Sequence, residues 1–184
     1  MKATQQLKDE HEGIKLMLMI LEKICWNINN DKRLNFDHID KVVDFIKGFA
    51  DKCHHGKEEE ILFPAMIKSG IPKEGGPISV MLHEHEIGRN HIKALSKAID
   101  EVKSGNNEAA ATLVLSAGNY IELLRNHIEK ENNILFKMAD QVLNEEEQSK
   151  IFDEFEKLEV EKIGIGKHEE YHYLLKNLTS IYLP

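Results

Sequence analysis

Two ten-residue stretches set imidazoles and carboxylates directly beside apolar residues. HHGKEEEILF occupies residues 54–63 and HIEKENNILF residues 127–136. Aligned without gaps, they agree at His54/His127, Lys57/Lys130, Glu58/Glu131, Ile61/Ile134, Leu62/Leu135 and Phe63/Phe136. On an α-helix, residues four apart lie one turn apart on the same face. His54 therefore points with Glu58, and His127 with Glu131. The apolar residues that follow carry each pair toward a core. Upstream, Glu10–His11–Glu12 and Glu84–His85–Glu86 recur in nearly the same frame. The chain reads as two similar helical hairpins, each offering two histidines and one glutamate.

Buried imidazoles and carboxylates without partners are costly. Metal cations are the simplest compensation for His11, His54, Glu58, His85, His127 and Glu131 converging in one core. One ion cannot comfortably use all six ligands, with the two glutamates on opposite helices. Two ions can: each takes two histidines, both carboxylates bridge, and open positions remain. Imidazole and carboxylate without thiolate suits iron, manganese or zinc, and disfavours calcium and magnesium. His55 and Glu59 form a rival pair, but the repeat has Ile128 and Asn132 in their places. That assigns them to the ligands' surroundings or to the surface. His38, His83 and His91 read as surface residues. Trp26, Cys25 and Cys53 read as core or near-core, without chemistry.

The elements that must position these groups are helical. Residues 4–30 form one helix, with Leu7, Ile14, Leu18, Leu21 and Ile24 on one stripe. A polar break runs from Asp31 to Asn35. A second helix covers about 36–68, with Ile39, Val42, Val43, Ile46 and Phe49 facing in, and Pro64 should kink or end it. A loop rich in Gly and Pro precedes a third helix over about 78–103, and a fourth covers about 108–143. The spacing predicts an all-α protein: an antiparallel up-down four-helix bundle over residues 1–143. Asn144 and Glu147 carry a capping-box signature for a fifth, charged helix. Ile163–Gly164–Ile165–Gly166 breaks it before a short last helix. Residues 144–184 are thus expected to pack on the bundle as a helical extension.

The bulk numbers narrow the function classes. The chain has 184 residues, 41% hydrophobic and 30% charged, which suits one globular domain. Its net charge of −8 offers no basic face for nucleic acid. No apolar run is long enough to span a membrane, and the polar N-terminus does not resemble a signal peptide. Two cysteines form no disulfide framework. A cytoplasmic location is the expectation.

At His11, HHGKEEEILFPAM (54–66), HEHEIGR (83–89) and LRNHIEKENNILF (124–136), the sequence resembles the hemerythrin-like family of HHE cation-binding domains. The resemblance covers roughly residues 5–140. It implies a bundle built around two iron ions, bridged by carboxylates and an oxo or hydroxo group. His11, His54, Glu58, His85, His127 and Glu131 match the family's ligand positions. The departure is Arg89, where oxygen carriers of the family have a second histidine one turn after the first. That favours the iron-repair and bacterial branches over simple oxygen carriage. The cysteine-bearing N-terminal domain of some repair proteins is not seen. A replacement fifth histidine is expected from GKHEEYHYLL (166–175), with His168 folding back toward the site. The resemblance implies binding of oxygen, nitric oxide or a related small oxidant, diatomic or peroxide, for sensing, storage or detoxification. The alternatives are a di-iron enzyme (peroxidase, nitric oxide reductase or iron-centre repair) and an iron store or sensor with an unidentified protein partner. No separate nucleophile or acid–base group is evident, so any turnover would belong to the metals.

Overall fold

The computed structural model describes residues 2–30 and 33–184. All regular structure among them is helical. Asp31 and Lys32, two of the five residues of the expected polar break, lie outside the described residues. We number six helices: α1 is Ala3–Asn29, α2 runs over 36–68, α3 is Pro77–Lys103, α4 runs over 109–142, α5 is Glu145–Lys162 and α6 is Lys167–Tyr182. The expected stripe of α1 is buried, as are Ile39, Val42, Val43, Ile46 and Phe49 of α2. Trp26, read as core or near-core, is near-core. It lies just past the buried stripe, 48% exposed, with the Lys23 ammonium 4.2 Å from its ring centre.

The ends of the elements follow from their residues. The Asn35 side chain accepts from the His38 backbone N–H and starts α2. Pro77 opens α3, where a missing N–H costs nothing. The capping box at α5 is complete: Asn144 Oδ1 accepts from Glu147 N at 3.0 Å, and Glu147 Oε2 accepts from Asn144 N at 2.9 Å. Pro64 does not end α2, which continues to Lys68. A π-helical turn over Glu58–Leu62 immediately precedes it, and Pro64 sits at the start of the α-helical segment that follows.

Helices α2 and α4 are not uniform. Ile46–His55, Glu58–Leu62 and Glu131–Leu135 are π-helical, with backbone bonds reaching one residue further than in an α-helix. Both Glu58 and Glu131 begin such a turn, so the sequence repeat is also a repeat of backbone form.

Around the interior, α1 packs on α2, α2 on α3, α3 on α4, and α4 on α1. The core lies in two apolar clusters. One contains Leu7, Leu62, Phe63, Met81, Leu135 and Phe136; the other contains Ile14, Leu18, Phe49, Ile92, Leu124 and Ile128. Between them along every helix fall buried titratable residues: His11 on α1, His54 to Glu58 on α2, His85 on α3, and His127 and Glu131 on α4. The two last helices close both clusters. Ile151 and Phe155 of α5 join the first, and Tyr171, Leu175 and Leu178 of α6 join the second. No helix among the described residues is long and apolar enough to cross a membrane.

The docking of α6 is tight at one point. Tyr171 donates to Asp44 Oδ2 at 3.2 Å, and its ring lies over Gly48. A Cβ at residue 48 would overlap the Tyr171 hydroxyl and stand 2.9 Å from Cζ. Alanine gains about 1 kcal/mol of helix propensity over glycine, whereas overpacking costs about 1–3 kcal/mol. Gly48→Ala is therefore expected to destabilise the fold in denaturant titrations, and adding Tyr171→Phe should recover part of the loss. A stabilising Gly48→Ala would show that this packing is loose.

Candidate metal centre

Each inward histidine is held from behind. The Nδ1 atoms of His54 and His127 lie 2.8 Å from Glu10 Oε2 and 2.9 Å from Glu84 Oε2. Those of His11 and His85 lie 2.9 Å from Asn132 Oδ1 and 2.7 Å from Glu59 Oε1. An ionised carboxylate only accepts. Glu10 is ionised: burial works against it, but His54 and Lys57 overcome that and hold its pKa at about 2. Glu59 and Glu84 are lowered too, their burial outweighed by bonds to His85 and Arg89, and to His127 and Lys130. In these four contacts Nδ1–H is therefore the donor, and a neutral ring keeps a bare lone pair on Nε2.

These supports obey the repeat. Glu10 and Glu84, Lys57 and Lys130, and Glu59 and Asn132 are counterparts in the two halves. The Lys57 ammonium donates to Glu10 Oε1 at 2.5 Å, and the Lys130 ammonium donates to Glu84. Lys57 is fully buried and also reaches Glu159 Oε2 of α5 at 2.8 Å, which ties the fifth helix to the support of His54.

The bare Nε2 atoms face the two central carboxylates. His11 Nε2 lies 3.2 Å from Glu131 Oε2, and His127 Nε2 lies 3.0 Å from Glu131 Oε1. His54 Nε2 lies 3.8 Å from Glu58 Oε1, and His85 Nε2 lies 3.5 Å from Glu58 Oε2. Each glutamate thus serves one histidine of its own hairpin and one of the other. His85 Nε2 and His127 Nε2 stand only 3.0 Å apart. Two lone pairs cannot share that space: a proton on one ring or a metal ion must lie between or beside them.

The buried atoms lacking a hydrogen-bond partner make the same demand. Among the described residues they include His11 Nε2, His54 Nε2 and all four oxygens of Glu58 and Glu131. Protons alone satisfy the cluster unevenly. Burial and the Glu131 charge push Glu58 well above the usual carboxylate range. Glu131 stays well below it, its burial outweighed by His127 and His11. Burial disfavours charge on His127, yet Glu131 and Glu84 raise it to about 9, while burial lowers His54 to about 4. Neutral imidazoles and ionised carboxylates are what a metal requires. The donor set fits one.

The donors fall into two groups that could each hold an ion: His11, His54, Glu58 and Glu131, and His55, Glu58, His85 and His127. In each group one donor atom per residue lies within 4.8 Å of the others. The structure brings together His11, His54, Glu58, His85, His127 and Glu131. It does not bring His168 to them. The His168 ring lies 5.5 Å from Phe49 and 4.4 Å from His172 in a separate cleft. The additional histidine is instead His55, 5% exposed and stacked on His85 with ring centres 3.9 Å apart. Sequence reasoning set His55 aside because the repeat has Ile128 and Asn132 in the places of His55 and Glu59. The π-helical turns through Ile46–His55 let two adjacent histidines face inward. The visible signal was the HH doublet together with Arg89 in helix α3. Arg89 is bound elsewhere, to Asp51 Oδ1 at 2.9 Å and Glu59 Oε1 at 2.7 Å.

A cleft of about 280 Å³ opens beside the second group. His55, His85 and His127 lie at its inner end, Ile46, Gly88, Ile92, Tyr120 and Leu124 form walls, and Lys47, Asp51, Arg89 and Lys93 also line it. Burial raises the Tyr120 phenol far above its usual pKa, so this wall stays uncharged.

The sequence profile of the hemerythrin HHE cation-binding domain matches residues 2–139. Curated relatives include the iron-sulfur cluster repair protein YtfE of Musicola paradisiaca, 38% identical over 138 residues, or 73% of this chain and 61% of the relative. That of Dickeya chrysanthemi is 40% identical over 89 residues, 47% of this chain and 40% of the relative. The Escherichia coli protein is 36% identical over a stretch covering the same shares. The chain spans less than two thirds of the length of these relatives.

The support network gives a stability test. Lys57→Met leaves Glu10 buried without its ammonium partner, and removing one member of a buried pair costs about 3–5 kcal/mol. Glu159→Gln should cost far less, because Glu159 is partly exposed and Lys57 keeps Glu10. Urea titration compares the two. A loss for Lys57→Met no greater than for Glu159→Gln would show that Lys57 is not the support drawn here.

Proposed function

This chain belongs to the hemerythrin HHE cation-binding family, and from that premise we propose that it is a non-heme di-iron protein that binds oxygen, nitric oxide or a related small oxidant. The reading includes an antiparallel up-down order of α1 to α4 over residues 1–143, with residues 144–184 as an extension packed on it. His11 and His54 would hold one iron and His55, His85 and His127 the other, with Glu58 and Glu131 supplying carboxylates between them. When bound, such a pair supplies open coordination positions and one-electron chemistry. The chain's own residues do the rest. Glu10, Glu59, Glu84 and Asn132 fix the histidine rings and their tautomers. The apolar clusters on either side exclude water. The observation that carries ligand binding is the cleft reaching His55, His85 and His127, whose largely apolar walls suit a small neutral molecule.

A second reading is repair of iron–sulfur clusters, the activity in the relatives' names. It requires iron to leave the centre, whereas ligand binding requires iron to stay.

The expected result is two irons per chain and an absorption band that falls on reduction and returns in air. Iron retained through repeated cycles supports binding, and iron released to a cluster-free acceptor protein supports repair. Zinc, or no metal, would remove both. His55→Ala should lower iron content, and His168→Ala should not. Gly88 lines the cleft, with the Tyr120 ring 3.6 Å from where a Cβ would sit. Gly88→Leu is expected to slow reoxidation several-fold at unchanged iron content; an unchanged rate would mean that the ligand takes another route.

A further inference from the structure

The last helix carries a pair of histidines that the buried centre does not use. His168 and His172 are one turn apart on α6, with ring centres 4.4 Å apart. Two imidazoles at this spacing can ligate one ion from a single helix face. They line a cleft of about 240 Å³ against α1, together with Gln6, Asp9 and Glu10. Asp9 is exposed and bonds only within α1, to Gln5 Nε2 at 2.8 Å. Gln6 gives its amide N–H to Glu156 at 2.8 Å, while its Oε1 is buried without a partner. The cleft is therefore lined by two imidazoles and the Asp9 carboxylate.

We propose that His168 and His172 form a surface site for one divalent transition-metal ion, completed by water and separate from the buried centre. Imidazole donors select such an ion over calcium or magnesium. HEEYH also has the spacing in which two histidines hold zinc and the intervening glutamate acts as a base. Here Glu169 is exposed and does not line the cleft, so the geometry gives a binding site and no hydrolase.

The position of the site suggests its use. Glu10 lines this cleft, and its Oε2 also holds His54 Nδ1. An ion on His168 and His172 sits behind the His11 and His54 side of the cluster, where iron could be held before it reaches the interior. This loading role rests on the di-iron reading; the surface site itself does not.

Calorimetric titration of the purified full-length chain with Ni²⁺ tests the site. The Ni²⁺ bound by the parent less that bound by His168→Ala/His172→Ala reads the surface site, whatever the interior takes up. The expected difference is one Ni²⁺ per chain. Both histidines are at least partly exposed, so the double variant should melt as the parent does. Equal Ni²⁺ in the parent and the double variant overturns the site. Ferrous uptake by metal-stripped protein tests the role: slower uptake to the same final content in the double variant supports loading, and an unchanged rate overturns it.

Discussion

The structure depends on a layer of electron pairs that cannot be left facing one another. Carboxylates behind the histidines take up the Nδ1 protons. Each ring is then obliged to present a lone pair to the interior, where two carboxylates already stand. Protons on Glu58 and His127 neutralise that layer only in part. Four helices meet there, and a metal ion among their donors would hold them in register. Folding and cation binding would then be coupled.

Much of this was legible in the sequence because the chain repeats itself. A single His–Glu pair four apart says little, but the coincidence of His54–Glu58 with His127–Glu131, each preceded by another histidine, selected six residues that the structure does gather. The helix positions followed from apolar spacing and from the capping box at Asn144. What was not legible lay where the backbone leaves α-helical form. The π-helical stretch ending at His55 turned a discarded neighbour inward, and periodicity at an assumed α-helical pitch could not show it. His168 was misplaced for another reason. Its spacing to His172 is a true local signal, but local spacing does not say against which side of α1 the last helix lies.

The two halves are alike in their supports and unlike in their ligands. Glu10, Lys57 and Asn132 answer to Glu84, Lys130 and Glu59, so both sides orient their rings by the same means. The asymmetry is largest at His55 against Ile128 and in the cleft beside it. One end of the cluster is histidine-rich and approachable, and the other is enclosed with two carboxylates. Chemistry that distinguishes the ends needs no more than this.

The division of the core into two apolar clusters has a consequence for cooperativity. In most small domains a continuous core makes unfolding all-or-none. Here the charged layer separates the clusters, and each is closed by its own terminal helix, α5 on one side and α6 on the other. A cation in the layer would bind the donors of all four helices together and favour one transition. Without it, the helices still run through both clusters but the layer between them is unsatisfied, so sub-global opening would be the cheaper route. Occupancy of the centre would then be written into the amide exchange of the whole chain, far from any ligand.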